Sequence, residues 1–130
     1  MLLIDSSVWI DYLTERPLSH AEILADRLDR GLPVATTGIV IQELLQGARS
    51  EGVANQLKAR FARLTYLPAR KTTHVTAAQL YRKVRRRGTT LPAVDALIAA
   101  VALENGVPVL TADVSHFEAL AKVCKLRLLR

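Results

Sequence analysis

The amino-acid sequence predicts an α/β domain whose mostly parallel central sheet, of about four to five strands, is covered by helices on both faces. Strand-like apolar segments alternate with amphipathic helical segments throughout the chain, which favours this class over an all-α or all-β arrangement. Residues 1–4 form a continuous apolar run, typical of a strand buried on both faces. The length of 130 residues fits one domain, 1–130, and half of the residues are apolar, enough for a single core.

The individual elements follow from local patterns. Ser6 and Ser7 are candidate N-caps for a short helix, and Gly31, Gly88 and Gly106 stand where three later helices should end. Apolar residues at helical spacing, or a proline at the start, mark the other helices. The predicted strands are 1–4, 34–37, 65–67, 108–110 and 125–129. The predicted helices are 8–13, 21–30, 39–49, 53–64, 73–87, 92–103 and 115–122.

Four acidic residues follow or interrupt apolar segments. They are Asp5 after the first strand, Glu43 in the helix after the second, Asp95 near the start of an almost wholly apolar helix, and Asp113 after the fourth strand. The carboxyl ends of parallel strands meet at one edge of a sheet, so Asp5, Glu43 and Asp113 should lie at the same edge. A carboxylate against a core is costly unless it is paired or holds a metal. The sequence therefore predicts a shared site for a divalent cation.

The chemistry of such a site favours a nuclease. Carboxylate oxygens at this density suit Mg²⁺ or Mn²⁺, and the sequence has no Cys/His set with zinc spacing. Acids this close repel one another and are pushed towards protonation, a penalty that one cation, or two about 4 Å apart, removes. A bound cation also stabilises the charge on a phosphodiester under attack.

The composition adds a basic surface. Eighteen Lys and Arg face twelve Asp and Glu, a net charge of +6, and setting four acids aside in one site leaves an excess of about +10 elsewhere. This excess fits a polyanionic partner or, equally, a solubilising surface. The single cysteine, Cys124, excludes an internal disulfide, and no apolar run reaches the length of a membrane span. With no signal-peptide pattern before the first strand, we expect a cytoplasmic protein that does not enter a membrane.

Each acid also has an ordinary structural interpretation. Asp5 could cap the helix that follows it, and Asp95 could interact with a helix dipole. Glu43 could pair with an arginine, and Asp113 could be a turn residue. It is much less probable that all four acids have only these structural roles than that any one of them does.

Four short motifs span the chain in order. They are Asp5-Ser6-Ser7-Val8-Trp9-Ile10-Asp11, then Glu43-Leu44-Leu45-Gln46-Gly47, then Arg86-Arg87-Gly88 leading into Val94-Asp95-Ala96-Leu97-Ile98-Ala99-Ala100, and finally Leu110-Thr111-Ala112-Asp113-Val114-Ser115-His116-Phe117. Each motif alone is weak, but the four together are specific. On these residues the chain resembles the PIN-domain ribonucleases, in particular the VapC toxins of VapBC toxin–antitoxin pairs.

This resemblance implies a three-layer α/β/α PIN-like domain that cleaves RNA endonucleolytically with Mg²⁺ or Mn²⁺. It also implies a VapB-type antitoxin whose tail blocks the groove, and a homodimer, often within a larger toxin–antitoxin complex. The family's acidic positions, as metal ligands and catalytic residues, fall on Asp5, Glu43, Asp95 and Asp113.

Other positions carry expectations of their own. Ser7 matches a small hydroxyl residue of the family and Thr111 the threonine before the last acid, and both are candidate substrate-positioning residues. Arg86 and Arg87 could hold RNA phosphates or, equally, complement the dipole at a helix end. Some family members carry a further acid where this chain has Ser115 or His116. His116 could contact a phosphate, but a position at the start of a helix is the simpler expectation.

Two other classes of function compete with the nuclease. A phosphoacceptor signalling domain also places acids at strand ends, but it needs an acceptor Asp after the third strand, where this chain has Leu67-Pro68-Ala69. A non-catalytic RNA-binding module on the same fold is the other alternative. The four acids disfavour it, because carboxylates weaken RNA binding unless a metal lies between them.

Overall fold

The strands form one parallel sheet in the computed structural model, which describes residues 1–129. Within this range the sheet has four strands, which are β1 (Leu2–Ile4), β2 (Val34–Thr36), β3 (Thr65–Tyr66) and β4 (Val109–Leu110). Their order is β3-β2-β1-β4, and every neighbouring pair is parallel. The predicted α/β class with a parallel central sheet is therefore confirmed.

Helices connect the strands and flank the sheet, as predicted. They are α1 (Ser6–Leu13), α2 (Ser19–Asp29), α3 (Gly38–Gln46), α4 (Glu51–Phe61), α5 (Lys71–Arg86), α6 (Ala93–Asn105) and α7 (Val114–Ala121). None of the helices in residues 1–129 combines the length and apolarity that crossing a bilayer would need.

The first helix begins two residues earlier than predicted. Ser6 and Ser7 are not its caps but its first two residues, and Asp5 occupies the N-cap position with extended backbone angles. The prediction was wrong because either serine is an acceptable cap by residue type, whereas the end of β1 fixes which residue takes that position. As a result, both hydroxyls are carried on a rigid helical turn immediately beside Asp5.

The centre of the sheet is the centre of the core. The side chains of β1 are at most 1 % exposed, because β2 and β4 cover its edges and helices cover its faces. Trp9 on α1 and Phe117 on α7 are fully buried in the same core. Trp9 packs edge-to-face against Phe61 and Tyr12, with ring centroids 5.5 and 5.9 Å away. Two of the helices that start at the acidic edge of the sheet, α1 and α7, are thus anchored by large aromatic side chains.

Helix α6 is apolar nearly all round because it is buried nearly all round. Its residues from Ile98 to Ala102 are at most 1 % exposed, and α5 packs along it. Gly106 ends α6 in the left-handed region, with φ of 62°. This burial fixes the first turn of α6, where Asp95 lies.

The predicted fifth strand, 125–129, is reduced to a single bridge within the described residues. Leu128 pairs with Val109 in parallel, and the backbone N–H of Leu129 donates to the carbonyl of Val109 at 2.9 Å. Since β4 itself has only two residues, it offers little length for a further strand to pair with.

Candidate active site

The sheet topology brings Asp5 beside the segment that follows β4. The backbone N–H of Asp5 donates to the carbonyl of Leu110 at 2.9 Å, so the ends of the two neighbouring strands are in register. Asp5 leaves β1 at this edge, and Thr111 and Asp113 leave β4 at the same edge. The predicted convergence of residues more than 100 positions apart follows directly from parallel pairing.

The Asp5 carboxylate is held by side chains rather than used as a helix cap. Its Oδ2 atom accepts hydrogen bonds from Ser7 Oγ at 2.7 Å and from Thr111 Oγ1 at 2.8 Å. Although Asp5 stands at the N-cap position of α1, its side chain caps no backbone N–H of that helix within residues 1–129. At 3 % exposure it is a buried acid with a fixed orientation.

Backbone donors complete this hydroxyl network. The N–H of Ala112 donates to Ser7 Oγ at 3.0 Å, and the N–H of Asp113 donates to Thr111 Oγ1 at 2.9 Å. Each hydroxyl therefore accepts a hydrogen bond from a backbone N–H of the loop after β4 and donates its own hydrogen bond to Asp5. The structure gives Ser7 and Thr111 a clear role in orienting Asp5, while their predicted contact with substrate stays a prediction.

Ser6 links Asp5 to Glu43. Its hydroxyl lies 2.9 Å from Glu43 Oε1 and 3.4 Å from Asp5 Oδ1, so one proton is shared between two carboxylates. Ser6 is 8 % exposed and Glu43 is half-buried on α3. Within residues 1–129 the side-chain partner of Glu43 is this serine and not an arginine, contrary to the ion-pair interpretation. The sequence pointed only to a helix cap at Ser6, so this bridging role was missed.

Asp95, Asp113 and His116 form a second, tighter group. The Nδ1 atom of His116 lies 2.6 Å from Asp113 Oδ2 and 3.2 Å from Asp95 Oδ2. One possible ligand atom from each residue lies within 4.8 Å of the others, an arrangement that could hold a metal ion. The side chain of Asp95 is 10 % exposed, and those of Asp113 and His116 are 36 % and 31 % exposed. This group is therefore open to a ligand on one side.

The sequence predicts His116 at the start of a helix, with contact to a phosphate as the alternative. It is the third residue of α7, and Asp113 is the N-cap of the same helix. The spacing i, i+3 puts both side chains on one face, and this is the sequence signal that could have identified their contact. The helix-start position is correct, and the contact with two acids is what the sequence interpretation lacked.

The electrostatics connect the two groups. The pKa of Asp95 is raised to about 7, chiefly by burial and then by the negative charge of Asp5 and by the hydrogen bond and charge of Asp113. His116 only partly offsets this. The hydrogen bond to Asp113 in turn raises the pKa of the His116 imidazole, because it favours the protonated form. The site thus holds more negative charge than its own cation neutralises, which is the electrostatic condition for binding a metal ion.

The predicted substrate-positioning arginines lie at the end of α5. Arg86 is its last residue and Arg87 its C-cap, and both are exposed. Arg87 lines a cavity of about 530 Å³ together with His116. The remaining residues that line this cavity are Val84, Thr89, Thr90, Ser115, Glu118, Ala119 and Lys122. A hollow with two cationic side chains and three hydroxyls therefore opens directly beside the acidic group.

Comparison with known proteins places this geometry in a family. Residues 2–123 match the model of the PIN domain. Ribonuclease VapC19 of Mycobacterium tuberculosis is 32 % identical over 117 residues, which cover 90 % of this chain and 92 % of that protein.

Solved structures give the same answer for the fold. VapBC-1 from nontypeable Haemophilus influenzae superposes with a TM-score of 0.80 at 18 % identity, over 98 % of this chain and 96 % of that one. VapBC-5 from Mycobacterium tuberculosis, a member of the VapBC family of toxin–antitoxin systems, gives a TM-score of 0.68 at 26 % identity. The match covers 98 % of this chain and 96 % of that one. The resemblance noted from the four motifs is confirmed: this chain belongs to the VapC group of the PIN-domain family.

Proposed function

We propose that this protein is a divalent-cation-dependent endoribonuclease and the toxin of a VapBC toxin–antitoxin pair. The observation that carries the proposal is the convergence of four acids from separate segments. Ser6 contacts both Asp5 and Glu43, and the negative charge of Asp5 helps to raise the pKa of Asp95. The name of the relative VapC19, a ribonuclease, favours RNA as the substrate class.

The donor atoms fit Mg²⁺ or Mn²⁺. Asp95 and Asp113, whose possible ligand atoms lie close together, would hold the ion. We propose that Asp5 joins them from the end of β1 and that Glu43 completes the site through its position next to Ser6. When bound, such an ion lowers the pKa of a water molecule and stabilises the charge that develops on a phosphodiester. The raised pKa of Asp95 supports the assignment, because burial and the neighbouring charges of Asp5 and Asp113 make its ionised form costly unless a cation is present.

The side chains of the protein orient the acids and handle the proton. Ser7 and Thr111 both bind Oδ2 of Asp5 and so fix the direction of Oδ1. Ser6 binds Oε1 of Glu43, and we propose that Oε2 of Glu43 accepts a proton from the attacking water. The burial of Asp5 and the network around it keep these atoms in place during the reaction.

The cavity beside His116 suits an RNA phosphate that flanks the cleaved bond. Arg87 and Lys122 supply positive charge, and Thr89, Thr90 and Ser115 supply hydroxyls, with Glu118 the one acid among its lining residues. Arg86 is not one of the residues that line it, so replacing each arginine with glutamine separates their predicted roles. We expect the Arg87 variant to bind RNA more weakly, with a smaller dependence on salt.

The alternatives fit the structure less well. A phosphoacceptor domain would need a carboxylate at the end of β3, where Leu67 is buried and Pro68 follows. A non-catalytic RNA-binding module would gain nothing from acids that are individually oriented by hydroxyls.

A VapB-type antitoxin is the proposed partner, supported by the VapBC structures that this fold resembles. Next to Glu43 lies a groove of about 680 Å³ whose walls include Ile10, Leu13 and Val53, each between 38 % and 50 % exposed. Such a groove suits an apolar antitoxin segment, which would block the site. Homodimer formation and a cytoplasmic location stay predictions.

The test uses the purified protein, free of any partner, with total cellular RNA. We expect cleavage with Mg²⁺ or Mn²⁺, none after EDTA, and no cleavage by Asp5→Asn. Asp26→Asn is the matched control, because Asp26 is exposed on α2 and pairs only weakly with Arg30 at 3.2 Å. Mapping of the cut ends then identifies the target.

Each outcome decides between classes of function. Cleavage by Asp5→Asn at the wild-type rate would refute the nuclease proposal for this site. Covalent labelling of an acid by a small phosphodonor would support the signalling class, and metal-independent RNA binding without cleavage would support the binding module.

A further inference from the structure

The group that faces the predicted ion contains a nitrogen donor. Nδ1 of His116 lies among the carboxylate oxygens of Asp95 and Asp113, and possible ligand atoms from all three are within 4.8 Å of one another. The acids alone would form an all-oxygen site.

The fold holds His116 in this position. Phe117 and Leu120 on the same helix are fully buried, so α7 cannot shift without opening the core. α7 packs against α6, which carries Asp95 in its buried first turn. The imidazole therefore bridges the two helices and is not a freely moving surface side chain.

We infer that His116 is a metal ligand, and that the site consequently prefers Mn²⁺ to Mg²⁺. Mg²⁺ favours oxygen ligands in a near-ideal octahedron and keeps several waters, whereas imidazole nitrogen suits first-row transition ions. Mn²⁺ accepts both carboxylate oxygen and imidazole nitrogen. The inference rests on the metal site of the proposed function and adds to it the choice of ion.

The competing explanation is that His116 acts as a counter-ion. In that case its imidazole neutralises Asp95 and Asp113 while the site is empty, and a cation would displace it. The two explanations predict opposite effects of removing the ring. If His116 is a ligand, removing its ring weakens Mn²⁺ binding. If His116 is a counter-ion that competes with the metal, removing its ring strengthens Mn²⁺ binding.

The direct test is electron paramagnetic resonance of Mn²⁺ bound to the RNA-free protein. We expect electron spin-echo modulation from a coordinated ¹⁴N in the wild type, lost in His116→Ala and His116→Asp. His74→Ala is the control, because His74 is exposed on α5 and is not one of the residues that form the cluster. Melting curves in EDTA confirm that each variant is folded.

Titration calorimetry gives the second measurement. We expect His116→Ala to weaken Mn²⁺ binding about 10-fold or more and Mg²⁺ binding much less. His116→Asp should restore an all-oxygen site and shift the ratio of affinities towards Mg²⁺. Absence of ¹⁴N modulation in the wild type, or tighter Mn²⁺ binding by His116→Ala, would overturn the inference.

These readouts do not depend on RNA cleavage. A nitrogen-coordinated Mn²⁺ in a protein that fails to cleave RNA would leave the inference standing and refute the proposed function. RNA cleavage by a protein whose bound Mn²⁺ shows no ¹⁴N coupling would overturn the inference and leave the proposed function standing.

Discussion

Replacing Asp95 with asparagine should stabilise the metal-free protein at pH 8 and leave it nearly unchanged at pH 4.5. The pKa of Asp95 rises from 3.8 in the unfolded chain to about 7 in the folded one. Between those values the folded state holds a proton that the unfolded state lacks, so stability falls as the pH rises. Above pH 7 the ionised carboxylate is buried near Asp5 and Asp113 and its full cost is present. The uncharged amide of asparagine avoids that cost.

The size of this effect follows from the shift. About three pH units at about 1.4 kcal/mol each give a ceiling of about 4 kcal/mol. We expect about half of this, ~2 kcal/mol, because the site is open on the side of Asp113, whose side chain is 36 % exposed, and water there screens the charges. For a chain of this length that corresponds to about 7 °C in melting temperature.

The assay is urea unfolding in EDTA from pH 4.5 to pH 8, with Asp26→Asn as the control. A smaller slope in the same direction should remain in Asp95→Asn. The raised pKa of His116 stabilises the folded state below pH 6.5, and this contribution is lost as the pH rises through the folded value. An asparagine variant that is less stable than wild type at pH 8, or that differs from it by the same amount at every pH, would refute the reasoning.

Three further substitutions test other parts of the account. Ser6→Ala removes the hydroxyl proton that Glu43 and Asp5 share. It should lower kcat/KM for RNA cleavage about 10-fold and leave the melting temperature unchanged. An unchanged rate would argue against the bridge between the two acids. Trp9→Ala empties a fully buried site and should cost about 4 kcal/mol of unfolding free energy by urea titration, and a cost below ~1 kcal/mol would contradict the packing. Gly106→Ala places a side chain at φ of 62° with no steric neighbour within 4 Å, so calorimetry should show a loss of about 1 kcal/mol from backbone strain alone.

The sequence predicted that Asp5 and Asp113 lie at one edge of the sheet because topology alone brings them together. Asp5 and Asp113 follow neighbouring parallel strands, and this pairing needs no knowledge of side-chain packing. Asp95 was identifiable because a carboxylate in an otherwise apolar helix has to be compensated. The structure adds that burial and, after it, the negative charge of Asp5 raise the pKa of Asp95.

Ser6 and His116 were not identified, because their local patterns have common explanations. A serine before a helix is usually a cap, and only the position of α3 shows that its hydroxyl reaches Glu43. A histidine near a helix start is equally ordinary until α6 places Asp95 within 3.2 Å of its ring. Both contacts depend on how separate helices pack, which residue patterns along one segment do not encode.

The most direct test of the central claim is to locate the ion itself. Crystals of the protein grown with Mn²⁺, and measured at the manganese absorption edge, should show an anomalous peak within about 2.5 Å of carboxylate oxygens of Asp95 and Asp113, on the side facing Asp5. The account predicts that this peak disappears in Asp95→Asn crystals. No peak at these carboxylates under saturating Mn²⁺, in crystals whose Asp5 and Asp95 keep the positions described above, would contradict it.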